Sequence, residues 1–378
     1  MIYIHIPFCH RKCTYCAFYS KPVDSGQWAM GSYVDALLEE MRQRRNEQAH
    51  PIKTVYFGGG TPSILPIGQL ARIVEGLRHC FDLSQVEEVT LEANPEDLTP
   101  QYLEALAALG FFNRLSIGVQ SLDDEVLRLL NRRHTAQQAL DAVENAHRAG
   151  FANISVDFIF GIKDRKDFKD FKDIKDIKDA VTHVSAYALT VEPGTALAVQ
   201  VEQGRVVLPD EDEVVRQYHA LRQQLTAAGF EQYEVSNYAK PGFVSRHNSR
   251  YWNRTPYLGL GSAAHSFDGT CRRWNSASIE SYIKVLNDGK DFKDLYQEET
   301  LTEADAVNET LMTALRTTRG VEESTLPEEY KKRLHLVMQP YVDCGWIVVR
   351  SEAGGMRYEP TVEGLLHADG MAAALFVA

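Results

Sequence analysis

What most constrains this chain is a phrase repeated six times before residue 191: a short apolar, β-branched run, a Gly-rich or polar turn, then a helix-like stretch. The runs are Ile2–Ile6, Thr54–Phe57, Glu88–Ala93, Leu115–Val119, Ile154–Ile159 and Val184–Thr190. Between them lie patterns such as SYVDALLEEMRQRR, with Ser32 placed to cap a helix, and LDDEVLRLLNRR, with Leu122, Val126 and Leu129 at helical spacing. Alternation at this spacing builds a parallel sheet. The polar phrases fall at or just past the C-terminal ends of the runs, where β/α barrels gather their chemistry. An open doubly wound sheet keeps its ligands near one switch point instead. The expected fold is α/β, a partial (β/α)6 barrel.

After the sixth run the pattern changes. EVVRQYHALRQQLTAAGF reads as a helix ended by Gly229 and followed by a strand, and an aromatic, Gly-rich stretch follows, HNSRYWNRTPYLGLGSAAHSF. The expected division is a barrel over 1–230, a connecting region over 231–300 and a small helix-rich accessory domain with a hairpin over 301–378. One segment, KDRKDFKDFKDIKDIKDA, places Phe168, Phe171, Ile174 and Ile177 at every third position. That spacing drifts around a 3.6-residue helix, so a solvated helix laced with Lys–Asp pairs is expected in the crossover before the sixth strand. A shorter echo, KDFKD, recurs at 290–294.

The net charge of −12 argues against non-specific binding to nucleic acid or anionic lipid, which rests on clustered Lys and Arg. No apolar run approaches the ~20 residues of a transmembrane helix. No export leader precedes the first run, so a cytoplasmic location is expected.

Three of the six cysteines, Cys9, Cys13 and Cys16, crowd into CHRKCTYC directly after the first run, while Cys80, Cys271 and Cys344 are scattered. A structural zinc site needs four ligands, commonly two separated pairs, and no second pair follows. A dithiol redox site would leave Cys9 idle. Three thiolates at intervals of four and three can hold three irons of a 4Fe–4S cubane and leave the fourth without a protein ligand. The second run ends in YFGGGTPS, where glycines admit close backbone approach to a charged ligand.

The Cys-x3-Cys-x2-Cys loop after the first strand of a β/α repeat resembles the radical S-adenosylmethionine (SAM) superfamily. That resemblance implies that SAM chelates the open iron and is cleaved by an electron from the cluster to methionine and a 5′-deoxyadenosyl radical. YFGGGTPS is similar to the GGGTP form of the coproporphyrinogen oxidase-like branch. The likeness implies SAM contacts at Tyr3, Phe18, Gly59, Gly60, Thr61, Glu92 in LEANP, Gln120 in GVQS, Arg132 in LLNRRH, Asp157 in SVDFIFG and Ala188 in SAYALT. A Gly-Leu-Pro-Gly-like turn common after the family's fifth strand is replaced here by FGIKDRKD.

Within the branch, oxidases carry a further cysteine two residues after the third ligand and an extension before the cluster strand. Here Phe18 occupies that position and the strand starts at the first residues, as in the HemW-like heme chaperones. In RHNSRYWN, His247, Asn248, Tyr251 and Trp252 match that group's HNxxYW motif, which is associated with heme. An imidazole can ligate heme iron and aromatic rings can cover a porphyrin. A hydrogen-bonded structural histidine is the alternative for His247, and His265 in GSAAHS is a second candidate ligand. The resemblance implies a chaperone that binds heme and delivers it to an acceptor such as a respiratory enzyme, with flavodoxin or ferredoxin as electron donor. The other function it implies is oxidative decarboxylation of coproporphyrinogen III.

Overall fold

The computed structural model describes residues 1–23, 30–47, 50–162, 177–352 and 354–377. The Lys–Asp-rich segment falls outside the described residues up to residue 176. Its last apolar member, Ile177, is buried in the main core.

Six strands follow the repeated phrase: β1 (Ile2–Ile6), β2 (Thr54–Gly59), β3 (Glu88–Ala93), β4 (Arg114–Gln120), β5 (Ile154–Phe160) and β6 (His183–Ala188). Each is parallel to the next, with Ile2 opposite Val55 and Ile4 opposite Phe57 at the start of the row. Side chains on both faces of these strands are buried, as a parallel sheet covered by helices requires. The covering helices include α1 (Met30–Arg44), α2 (Ile67–Cys80), α3 (Pro100–Ala108), α4 (Asp124–Leu129) and α5 (Ala136–Arg148). Asp123 caps α4, accepting from the Glu125 N–H at 2.7 Å, and Thr135 and Gln138 form a capping box on α5.

Two local expectations shift. Met30 and Gly31 are already helical, so Ser32 lies inside α1 and is not its cap. The sixth strand ends at Ala188, because the chain turns away toward Pro193 and Gly194.

After α6 (Ala196–Glu202) and α7 (Glu211–Ala227), the chain extends the sheet at both ends. β7 (Glu231–Gln232) and β8 (Asn237–Ala239) add antiparallel strands beside β6. α8 (Arg246–Trp252) leads to β9 (Leu258–Leu260), which pairs parallel to β1 with Ile2 opposite Leu258. The sheet therefore reads β9-β1-β2-β3-β4-β5-β6-β8-β7, with its two ends unpaired to each other. Buried Arg44 ties α1 to the β9 side, donating to the Gly259 carbonyl at 2.7 Å, Ser266 Oγ at 3.1 Å and Glu40 Oε1 at 2.8 Å.

A second sheet of β10 (His265–Phe267), β11 (Cys271–Asn275) and β12 (Tyr296–Thr300) follows, with α9 (Ile279–Asn287) between its last two strands. In the KDFKD echo, Asp291 caps a single 3-10 turn that buries Phe292 and Leu295. The C-terminal region has its own core, built by α10 (Glu303–Leu315), α11 (Glu328–Asp343) and residues Met371 and Leu375. It carries the hairpin of Ile347–Glu352 and Gly355–Pro360.

Candidate functional site

The loop after β1 is pinned at its base and along its length. Phe8–Cys9 pairs with Lys21–Pro22, and the Lys21 N–H donates to the Pro7 carbonyl at 2.8 Å. Thr14 donates through N–H and Oγ1 to the carbonyls of Leu130 and Leu129, at 3.1 and 3.0 Å. Asn131 Nδ2 donates to the Lys12 carbonyl at 2.9 Å. Cys9, Cys13 and Cys16 are thereby held as free thiols on one cavity of about 750 Å3 above the C-terminal ends of the strands.

The glycine turn supports the loop from the side. The Gly60 N–H donates to Ile6 O at 2.8 Å and the Thr61 N–H to Phe8 O at 2.7 Å. A Cβ at Gly60 would come within 2.6 Å of Phe8 O, and one at Gly59, whose φ is +106°, within 2.4 Å of the His5 ring. Only glycine fits either position. Thr61 Oγ1 in turn donates to Cys9 Sγ at 3.4 Å.

Around the same cavity stand Phe18, Gly59, Gly60, Thr61, Glu92, Gln120, Arg132, Asp157 and Ala188. Glu92 accepts from Tyr56 OH at 2.7 Å and from the Gly59 N–H at 3.2 Å. Burial, with the nearby Asp157 charge, pushes its carboxyl up to about 7. Burial also raises Asp157, whose carboxylate lies 3.4 Å from Ser116 Oγ. Arg132 Nη2 donates to Asn94 Oδ1 at 2.6 Å and to the Gly118 carbonyl at 2.7 Å, while Nη1 reaches Cys13 Sγ at 3.4 Å. Gln120 has φ +67° where the β4–β5 register slips, a strained conformation at the cavity edge. Tyr3 lies apart from the cavity lining and bonds His5 Nδ1 at 3.2 Å, and burial holds His5 down at about 4.

The HNxxYW residues are elsewhere, at the N-terminal ends of the strands. The Glu88 carboxylate accepts from the Arg246 and His247 N–H groups, both at 2.9 Å, anchoring α8 beneath β3. His247 is fully buried, with Nδ1 2.8 Å from Thr54 Oγ1 and Nε2 3.1 Å from Tyr251 OH. Burial pushes its imidazole well below the usual range. Asn248 contributes its N–H to the Ser245 cap at 3.3 Å, Tyr251 packs edge-on to Tyr257, and Trp252 Nε1 is buried without a hydrogen-bond partner. None of these four lines the cavity. His265 is exposed and its ring stacks on Trp274 at 6.3 Å.

Comparison with known proteins places the whole arrangement. A family model of the Radical SAM superfamily matches residues 3–176. "Heme chaperone HemW" of Bacillus subtilis is 33% identical over 341 residues, covering 88% of this chain and 87% of that protein. The protein of the same name from Synechocystis is 30% identical over 400 residues, covering 100% and 96%. This chain belongs to the HemW family of radical SAM proteins. Among solved structures, HemN of Escherichia coli, described as a coproporphyrinogen III oxidase and a radical SAM enzyme, superposes with a TM-score of 0.81 at 22% identity. The match covers 100% of this chain and 89% of that one, and shows a shared fold.

Radical SAM membership implies a 4Fe–4S cluster and SAM, and the cavity suits them. Among the described residues, no three His, Cys, Asp or Glu side chains converge as ligands of a single metal ion do. A cubane asks for something different, one sulfur per iron, which spreads three thiols around a shared space. Among the described residues no helix is long and apolar enough to cross a membrane.

The HemW-family cavity also contains residues that sequence reasoning missed. Asn94, two residues past Glu92 in LEANP, bridges Thr61 Oγ1 at 3.1 Å and Arg132. Its side chain follows directly from the LEANP phrase, so proximity to Glu92 was the available signal. Tyr56, which orients Glu92, and Tyr187, which lines the wall, lie in strands and read as packing. Arg316 enters from the C-terminal region, and nothing in its surrounding sequence, LRTTRG, points to a site.

Proposed function

We propose that this chain is a heme chaperone carrying a SAM-binding 4Fe–4S cluster. The observation that carries this reading is kinship over 88% of the chain with a protein named as a heme chaperone. In it, Cys9, Cys13 and Cys16 hold the cluster, with Thr61 and Arg132 donating to two of the sulfurs and moderating their charge. When bound, the cluster supplies the electron that cleaves SAM.

The chain's own residues prepare the space beside it. Gly59 and Gly60 let backbone approach the ligand, and Glu92, Gln120, Arg132 and Asp157 offer acceptors and donors to SAM's amine and ribose. Tyr3 acts from below, through His5, whose Nε2 donates to the Tyr19 carbonyl at 3.1 Å and steadies the cysteine loop. The HNxxYW helix likewise supports the floor: the His247 ring packs 5.0 Å from that of Tyr56, which holds Glu92. His247 meets heme iron only by giving up Thr54 or Tyr251. Residues 301–378 form an accessory domain flanking the barrel. Heme is the cargo, the acceptor a heme enzyme such as a respiratory complex, the electron donor a flavodoxin or ferredoxin, and the location the cytoplasm.

Titrating anaerobically purified protein with hemin while following the Soret band tests the reading, with stoichiometric uptake expected. The same preparation, given reductant, SAM and coproporphyrinogen III, is expected to form no protoporphyrinogen. Porphyrin turnover would replace the chaperone by an oxidase, and absence of hemin uptake would end the proposal.

A further inference from the structure

The cavity is assembled from two distant parts of the chain. Among the described residues that line it, all but one precede residue 193, and the exception is Arg316, at the end of α10. Its backbone fixes its place. The Val235 N–H donates to the Arg316 carbonyl at 2.8 Å, the Thr318 N–H to the Tyr233 carbonyl at 3.1 Å, and Glu234 and Thr317 form an antiparallel bridge. The next residue of that segment, Ser236, accepts from the Ala186 N–H of β6 at 2.7 Å. Arg316 therefore enters beside β6, at the opposite end of the strand row from the cysteine loop beyond β1. One cavity spans the row, six strands spaced about 4.8 Å apart.

The Arg316 guanidinium is lightly engaged by protein. Its Nε, buried without a hydrogen bond, lies 3.5 Å from the carboxylate of Asp369, itself 70% exposed, and its charge also acts on the buried Glu234 carboxyl. Arg132, the other cation set deep in the cavity wall, has an Nε in the same state but commits both Nη groups to Asn94, Gly118 and Cys13. On the same side as Arg316, Tyr187 of β6 lines the cavity with its side chain 42% exposed. A guanidinium with spare donors and an open aromatic ring on the β6 side of one cavity fit a flat, apolar ligand that carries a carboxylate.

We propose that Arg316 anchors a propionate of the heme macrocycle on the β6 side of the cavity, leaving the cysteine side to SAM. The inference rests on the heme-chaperone reading and adds a place and a recognising residue to it. The C-terminal region then does more than flank the barrel: it supplies the charge that selects the cargo.

The test uses the cluster-loaded full chain under anaerobic conditions. Hemin and hemin dimethyl ester, which lacks free carboxylates, are titrated into wild type, Arg316→Gln and Arg316→Lys, and SAM affinity is measured calorimetrically in each. Wild type is expected to prefer hemin over the ester on the order of tenfold, the size of one charge-assisted hydrogen bond. Arg316→Gln is expected to bind both alike, Arg316→Lys to fall between, and SAM affinity to stay constant. No preference in wild type, a preference surviving in Arg316→Gln, or a parallel fall in SAM affinity would overturn the assignment, the last by giving Arg316 to SAM. Should Arg316→Gln fail to fold, the Lys variant decides, and a wild-type ratio there counts against the anchor. No hemin uptake by wild type would remove the chaperone reading and the anchor together.

Discussion

The two ends of the strand row treat polar residues in opposite ways. At the C-terminal ends, Cys9, Cys13, Cys16, Glu92, Arg132 and Asp157 surround an open cavity, and several keep capacity for a ligand. At the N-terminal ends, His247 is sealed, each ring nitrogen paired and the helix that carries it anchored by Glu88. Both segments carry a family motif, yet one is built to receive and the other to hold. A motif reports which residues a fold requires, and only the geometry tells whether it requires them for chemistry or for support.

Substitutions can break that contrast, and the largest effect belongs to the thiols. Cys13→Ser is expected to abolish iron incorporation and any EPR signal responsive to SAM, whereas His247→Ala should reconstitute normally. Gly60→Ala forces a Cβ into the backbone of Phe8 and should cost about 3 kcal/mol, with iron content falling alongside the unfolding midpoint.

Removing the His247 ring leaves Thr54 and Tyr251 without their partner in a buried site, a loss of about 2 kcal/mol readable by denaturant titration. Hemin affinity should not change. Loss of hemin uptake at unchanged stability would reverse the assignment of the two ends.

The pH dependence sharpens the comparison further. Glu92 sits at about 7 in the folded chain against an ordinary 4.5, so the folded form keeps a proton that the unfolded chain has released. Its contribution is complete below pH 4.5 and is lost as pH rises toward 7, with a slope of up to about 1.4 kcal/mol per pH unit. Glu234, also raised to about 7 by burial, acts in the same direction. His5 and His247, held neutral by burial, act in the opposite direction, so the measure is the difference between proteins: from pH 5 to 7 wild type should lose melting temperature relative to Glu92→Gln. The smallest change is expected at Phe18, 71% exposed, where alanine should alter stability by under about 0.5 kcal/mol.

Much of this architecture is legible in the sequence, because local rules set it. Ile2–Ile6 and Glu88–Ala93 are strands as read, and the other four runs differ only at their ends. Cys9, Cys13 and Cys16 could be singled out because ligand spacing within one loop is a local property. β9 could not, since LGL is too short for any periodicity and becomes a strand only by docking on β1. The orientation of His247 depends on Thr54 and Glu88, far away in the chain, and Arg316 is held at the cavity by the bridge of its neighbour Thr317 to Glu234. Long-range pairings of this kind leave no trace in a window of neighbouring residues.

The docking of Leu258–Leu260 against Ile2–Ile4 also sets a timetable for biogenesis. The thiols leave the ribosome more than two hundred residues ahead of the strand flanking theirs and of the Gly261 N–H that meets Glu40 at 2.7 Å. Until then the first strand has a bare edge, although the partners that pin its loop, as far as Asn131, are already made. What the growing chain leaves exposed is therefore the edge of its first strand, not the loop that carries the thiols.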